Sequence, residues 1–459
     1  MGTRKGNKKS GFWNMLDNLE GDKVIWTIVF LLIMISILTI SSSTSLLAIH
    51  ENSSRISYAL EQVGVAALGM LIIVGCYWIG KIGVFWIFSR YGFLLSFCML
   101  AFLALHIKLP GIEAVRINDA WRCIRVFGFQ LHVFEFVKVF MVMYIAWAME
   151  AIRSGKTPLA KKLSRQVTFF GTEHGKTWLY VLGPIILTTV MIAMGSNSSA
   201  MFIGLIMIAT ALVGGLKWKY FMRLAAAGAA LVLLIFGAYK IAGGESIQSG
   251  PFNRIGLIEK RLKLSSQDPL KRLHQEKPGS LEFQKVLDET MQPMSAKVAV
   301  SEGGLFGKGP GKSTQRYVVA VMYEDYMFSF IVEEYGLIGA ILVMMLYGSL
   351  LARGSIIVRN CSNLYARTMI AGLVIMITGQ AMMHMFINVD LGPLTGQTLP
   401  MISHGNSSFL AFSLAFGIIL SVSKMAKKKI EQETAEVMEQ PLIVTGGETP
   451  AGDKEDNGE

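Results

Sequence analysis

Three carboxylates sit in a stretch otherwise fit to cross a membrane. The run DYMFSFIVEEYGLIG, residues 325–339, places Asp325 at its polar mouth and Glu333 and Glu334 among apolar residues. An acid at membrane depth is costly unless it faces water, a partner or a substrate, so such residues default to functional candidates. A carboxylate at that depth can take a proton from an attacking hydroxyl. Taken alone, Asp325 is equally well explained as an N-terminal helix cap. A cap does not explain Glu333 and Glu334. Eight residues of helix advance by about 80°, so Asp325 and Glu333 are expected to share a broad face, with Glu334 pointing elsewhere.

Cations and irregular backbone lie elsewhere in the chain. Upstream of Asp325 runs SEGGLFGKGPGKSTQR, with Lys308, Lys312 and Arg316. It is not a nucleotide P-loop, because the glycine required five residues before Gly311 is Phe306. Its backbone N–H groups and cations remain a candidate phosphate cradle, against the plain alternative of a surface loop. The segment LHVFEFVK spaces Glu135 and Lys138 three apart, on one helix face, either to orient helices or to meet substrate. Arg122 and Arg125 precede it and suit an anionic headgroup or pyrophosphate, or a solvated surface. The stretch NVDLGPLTGQTLPMISHGNSS, residues 388–408, mixes Pro393, Gly396, Pro400 and Gly405 with Thr395, Gln397, Thr398, Ser403 and His404. Polar irregular backbone at membrane depth must be buried in protein or line a cavity.

The elements that must carry these groups are membrane helices. Of 459 residues 52% are hydrophobic and 16% charged, against about 25% charged in soluble domains. Ten apolar stretches are long enough to span a bilayer: 24–48, 63–80, 91–107, 134–151, 177–195, 199–216, 220–242, 326–351, 368–388 and 399–422. The expectation is an all-α polytopic membrane protein of ten transmembrane helices, with one large extracytoplasmic loop, 243–325, between helices 7 and 8. Its first part, Arg254 to Asp288, is expected to hold short amphipathic helices at the membrane surface. Residues 1–430 form one domain and 431–459 a disordered cytoplasmic tail. Lys and Arg concentrate in 152–176, 217–223, 352–367 and after Lys424, on the side of the N-terminus. Both termini are therefore expected in the cytoplasm.

The net charge of +11 follows from that topology and from contact with anionic membrane lipids, so nucleic acid is not an expected partner. Cys76, Cys98, Cys123 and Cys361 make no CxxC pair and no metal-ligand spacing. The basic N-terminus precedes an apolar run too long for a signal h-region, which predicts a retained first span.

The chain resembles the SEDS family (FtsW, RodA, SpoVE) of cell-wall polymerases over nearly its whole length. Two motifs carry the resemblance: PLTGQTLPMISHGNSS before the last helix, and the glycine loop followed by EDYMFSFIVEEYGLIG. Asp325 takes the place of the family's essential aspartate, and Glu333 and Glu334 that of its paired glutamates. Glu135 and Lys138 keep the charges of a Gln-Pro-Ser-Glu-x-x-Lys motif otherwise replaced by His132, Val133 and Phe134. Cys123 stands where the family has tryptophan, and GSNSSA, residues 195–200, where it has an acidic stretch.

The resemblance implies a peptidoglycan glycosyltransferase acting on lipid II and the nascent glycan strand at the outer face of the bacterial cytoplasmic membrane, with release of undecaprenyl pyrophosphate. Asp325 is then the catalytic residue. Substrate contacts are expected from Arg122, Glu135, Lys138, Lys308, Arg316, Glu333, Glu334, Thr395, Gln397 and Ser403. A class B penicillin-binding transpeptidase is the implied partner. No cofactor is required by the resemblance, with a divalent cation, Mg or Mn, left open. The TGQTLP wording leans toward the FtsW, division-type branch. Two rival functions fit the same hydropathy: a lipid II flippase without chemistry, and a non-catalytic scaffold.

Overall fold

The computed structural model describes residues 20–117, 120–226, 228, 278–319, 322–392 and 396–439. Its long helices are α1 (Lys23–Ser43), α2 (Arg55–Ile79), α3 (Ile82–Ala104), α4 (Val133–Arg153), α5 (Glu173–Ala193), α6 (Asn197–Val213), α7 (Leu281–Gly303), α8 (Met327–Asn360), α9 (Leu364–Asn388) and α10 (Asn406–Glu439). Among the described residues, seven helices are long and apolar enough to cross a bilayer: α1, α2, α3, α5, α8, α9 and α10 up to Lys428. The protein is a multi-pass membrane protein. Helix α4 reads less apolar because it carries Glu135, Lys138, Glu150 and Arg153. The expected span 220–242 and the surface helices expected from Arg254 lie largely outside the described residues. The other expected spans overlap described helices, with bounds that differ by several residues.

Burial sorts the helices. The inward faces of α4, α9 and α10 supply most of the core, with Phe409, Phe412 and Phe416 of α10 fully buried. Helices α1, α2, α3 and α5 bury one side and show Met34, Leu38, Leu71, Trp78, Phe88 and Val190 to the surroundings. In lipid such exposure carries no hydrophobic cost, so these helices form the periphery. At the N-terminal end of α1, Asp22 accepts from Val24 N (2.9 Å) and Ile25 N (3.3 Å), and pairs with Arg353 near the far end of α8 (2.6 Å). Asp22 and Arg353 therefore share a side, as the charge distribution of the loops predicts. Helix α5 contains a π segment, Trp178–Leu182, just ahead of Pro184, whose missing N–H prevents a regular ladder there.

Three features depart from the sequence expectation. Between α3 and α4 the chain forms a four-stranded antiparallel sheet in the order β1 (Lys108–Leu109), β2 (Ile112–Ile117), β3 (Ala120–Val126), β4 (Phe129–His132). The register pairs Val115 with Cys123 and Cys123 with His132. Its last turn places Phe127 (φ 48°) and Gly128 (φ 89°) in the left-handed region, the two-residue geometry that matches strand twist. Second, the described part of the large loop holds a long helix, α7, ahead of the glycine loop, which the sequence reading does not anticipate. Third, the expected boundary of a disordered tail at 431 is overrun: α10 continues to Glu439, because KKKIEQETAEVME offers Lys-to-Glu spacings of four among good helix formers. The same helix starts only at Asn406, with 396–405 irregular.

The glycine loop and α8 are one structural device. Helix α8 breaks at Gly336 (φ 68°, ψ −167°). In an unbroken helix the carbonyls of Glu333 and Glu334 would accept from Leu337 N and Ile338 N. Here they accept instead from Lys308 N (2.8 Å) and Gly309 N (2.9 Å), while Leu337 N and Ile338 N donate to Gly304 O (2.9 Å) and Leu305 O (3.3 Å). The loop is spliced into the helix ladder, and these four backbone groups freed by the break regain partners, as a low-dielectric setting demands. The approach requires glycine: a Cβ on Gly307 would lie 2.3 Å from Glu334 O, and one on Gly336 2.3 Å from Leu305 O.

Candidate functional site

Alternation of helix direction brings the start of α4, the sheet, the α5–α6 turn, the start of α8, the end of α9 and the start of α10 to one end of the bundle. Asp325 lies there, half-buried in the turn just before α8. Three consecutive carbonyls of that turn are pinned. Tyr323 O accepts from His404 N (2.9 Å), Glu324 O from Ser403 Oγ (2.8 Å) and Asp325 O from Asn388 Nδ2 (3.0 Å). The Asp325 carboxylate rests against the opposite turn, where a methyl group built on Gly396 would lie 3.6 Å from its Oδ2.

Burial pushes the Asp325 carboxyl up to about 6, with the nearby Arg122 guanidinium opposing that rise. Glu324 beside it is pushed up to about 7 by burial and by the Asp325 charge. Arg122 reaches this end from β3 and donates from Nε to Gly195 O at 3.2 Å. A carboxylate poised near neutrality with a cation close by is the arrangement that general-base chemistry on a phosphate-bearing substrate requires.

A second group holds the site together. Lys138 is buried at 2% exposure and donates to Glu135 Oε2 (2.8 Å) and Gln380 Oε1 (2.6 Å), with the Phe412 ring 5.1 Å away. Gln380 Nε2 in turn donates to Thr398 O (2.9 Å), and Thr398 Oγ1 bonds Ser408 Oγ (2.8 Å). Gln397 is buried and donates to Ser199 Oγ (3.0 Å). The Glu135–Lys138 pair expected from spacing is present. Lys138 spends two of its donors on these buried partners and so ties α4 to α9 and, through Gln380, to the 396–405 turn.

The third group is built on the glycine loop, whose N–H groups and cations the sequence offers as a candidate phosphate cradle. The anions held by the glycine loop are the protein's own. Glu333, fully buried, accepts from Lys308 Nζ (2.8 Å), Ser313 Oγ (2.5 Å), Thr314 N (2.8 Å), Thr314 Oγ1 (3.1 Å) and Gln315 N (3.3 Å). Glu334 Oε1, also buried, accepts from Ser42 Oγ (2.6 Å), Gly311 N (3.0 Å) and Ser313 N (3.4 Å), with Arg316 at 3.7 Å. Lys308 also bonds Glu302 and Thr314, and Arg316 bonds Ser42 and the Tyr317 hydroxyl. Lys308, Arg316, Glu333 and Glu334 are thus partners of one another in this structure. Asp325 precedes α8 rather than sharing a helical face with Glu333.

Of the expected site residues, Arg122, Gln397 and Ser403 gather around Asp325, while Glu135 and Lys138 connect through Gln380. Thr395 lies outside the described residues. Glu324, Gln380, His384 and Asn388 were not anticipated. The last three did carry a signal: polar residues spaced by four along an apolar span occupy one helix face. Among the described residues, no group of three or more His, Cys, Asp or Glu side chains is placed to hold a metal ion.

Comparison with known proteins agrees with this architecture. The family model described as cell cycle protein, for FtsW, RodA and SpoVE, matches residues 22–428. Stage V sporulation protein E of Bacillus subtilis (strain 168) is 27% identical over 409 residues, covering 88% of this chain and 98% of that protein. The probable peptidoglycan glycosyltransferase FtsW of the same organism is 26% identical over 315 residues, 68% of each chain. Among solved structures, a chain of a peptidoglycan synthase complex that coordinates polymerization and crosslinking superposes with TM-score 0.59 at 19% identity, covering 88% of this chain and 98% of that one. The rod shape determining protein RodA of Thermus thermophilus gives TM-score 0.54 at 20% identity, covering 89% and 98%. The chain belongs to the FtsW/RodA/SpoVE family of cell cycle proteins.

Proposed function

We propose that this chain is a peptidoglycan glycosyltransferase that adds lipid II disaccharide units to a growing glycan strand at the outer face of the cytoplasmic membrane. The observation that carries the reading is Asp325: a half-buried carboxylate, poised at about 6, at the polar end of a membrane bundle and near Arg122. Relatives named as peptidoglycan glycosyltransferases support it. The acceptor's 4-hydroxyl oxygen attacks the anomeric carbon of the donor, and the bond from that carbon to the pyrophosphate oxygen breaks. Asp325 takes the hydroxyl proton. Undecaprenyl pyrophosphate leaves with the bonding pair, and Arg122 offsets its developing charge. Where a divalent cation, magnesium or manganese, takes part, Asp325 is the residue that would hold it, and it would offset the charge of the leaving pyrophosphate.

The partner we propose is a class B penicillin-binding transpeptidase. The structural neighbour from a peptidoglycan synthase complex, in which polymerization and crosslinking are coordinated, supports that choice. The loop cations favour cytoplasmic termini, and the FtsW-named relatives together with TGQTLP favour the division-type branch.

The test is polymerisation of purified lipid II by the full chain with its transpeptidase. Asp325→Asn keeps the size and removes the base, so glycan synthesis should fall by about 10²–10⁴-fold. A variant that polymerises like the parent, or a parent that moves lipid II across vesicles without forming strands, would reject the assignment.

A further inference from the structure

Helix α9 presents a stripe of three buried polar side chains spaced by four, Gln380, His384 and Asn388, toward its C-terminal end. Each grips a different part of the site. Gln380 holds Thr398 and Lys138. Asn388 receives Ser329 N on its Oδ1 (2.9 Å) and donates to Asp325 O (3.0 Å). His384 lies between them and faces both ways. Its Nδ1 is 2.7 Å from Gln397 O, and its Nε2 is 3.4 Å from Phe328 N. A carbonyl can only accept and a backbone N–H can only donate. One tautomer satisfies both: Nδ1 carries the proton and Nε2 the lone pair. A protonated imidazolium would lose the bond to Phe328.

We infer that His384, fixed as the Nδ1–H tautomer, is a positioning residue that sets the separation between the Asp325 turn and the Gly396–Thr398 turn. This rests on the polymerase reading above. Phe328 and Ser329 are in the first turn of α8, where backbone N–H groups have no helical partner. Supplying those partners from α9 fixes the start of α8, and with it Asp325. The Gln397 carbonyl is held by the same ring, so the two sides of the site move together or not at all. Misplacement of a reacting group by about 1 Å costs about 10²-fold in rate.

Half-replacements separate the two bonds. Asn at 384 places an amide near the Nδ1 position and can keep the bond to Gln397. Gln reaches the Nε2 position and can keep the bond to Phe328. Leu keeps neither. The parent and His384→Asn, His384→Gln and His384→Leu are compared in lipid II polymerisation, with rates per folded molecule, and by backbone hydrogen exchange over residues 322–330.

His384→Leu should lower kcat by about 10²-fold with KM within about twofold, since alignment and not substrate affinity is lost. Asn and Gln should each recover part of kcat. His384→Gln should keep slow exchange at Phe328, and His384→Leu should not. If His384→Leu retains the parental kcat, or loses only KM, the inference is wrong. If Leu does not fold, Asn and Gln decide: parental kcat and exchange in both overturns it. A parent that makes no strands defeats the polymerase reading, and the exchange arm alone then decides whether His384 clamps the two turns.

Discussion

Replacing Glu333 tests whether the paired glutamates act on the loop or on a substrate. Glu333→Ala removes the acceptor of five hydrogen bonds, from Lys308, Ser313, Thr314 (twice) and Gln315. Lys308 keeps Glu302, and Ser313 Oγ can turn to another acceptor. The N–H groups of Thr314 and Gln315 cannot follow. At about 1–3 kcal/mol for each of these two donors left unsatisfied, the loss is about 2–6 kcal/mol, which brackets the about 3–5 kcal/mol found for breaking a buried ion pair from one side. Glu333→Gln keeps the side-chain length and one acceptor oxygen. Its loss is the difference between charged and neutral hydrogen bonds, about 1–2 kcal/mol.

Unfolding of the detergent-solubilised protein, followed by tryptophan fluorescence, should rank parent above Gln above Ala. Limited proteolysis should open the 303–315 loop in the alanine variant alone. Polymerisation per folded molecule should stay within about threefold of the parent for Glu333→Gln. A Glu333→Gln protein as stable as the parent but inactive would show that the carboxylate meets substrate as well as the loop. An alanine variant as stable as the parent would refute the holding role of Glu333 entirely.

Further outcomes follow from the same geometry. Gly307→Ala and Gly336→Ala each force a side chain into left-handed backbone and against a carbonyl at 2.3 Å. Each should cost more than the about 1–2 kcal/mol of the conformation alone, read as a lowered unfolding midpoint. Polymerisation should fall as pH drops through about 6, because Asp325 must be ionised to act as base and burial has raised its carboxyl to that range. Arg122 favours the ionised form, so Arg122→Gln should move this acid limb to higher pH; a shift to lower pH would contradict the assignment. Lys138→Met leaves the Glu135 carboxylate and Gln380 Oε1 without their lysine partner and should cost about 3–5 kcal/mol by the same unfolding measurement. Adding Glu135→Leu should recover part of that loss.

The amino-acid sequence by itself determined which stretches seek lipid and which side chains are out of place there. Span positions, the Glu135–Lys138 pair and the prominence of Asp325 all follow from local composition and spacing. The sheet between α3 and α4 was missed because its apolar residues are short runs broken by charges, with no membrane-length signal, although Phe127-Gly128 marks a tight turn. Only the tertiary structure decided what the glycine loop does. Lys308 and Arg316 look like free cations in the sequence, and Glu333 and Glu334 like free acids, because nothing local reports that Gly336 breaks the ladder and lets residues 304–309 complete it. The same holds for His384: its spacing to Gln380 and Asn388 gives a helix face. That the face grips the Asp325 turn depends on α9 lying against the start of α8 and the 396–405 turn. Desolvation and hydropathy are properties of a segment, whereas hydrogen-bond partnership belongs to pairs of segments, and those pairs exist only once the helices are packed.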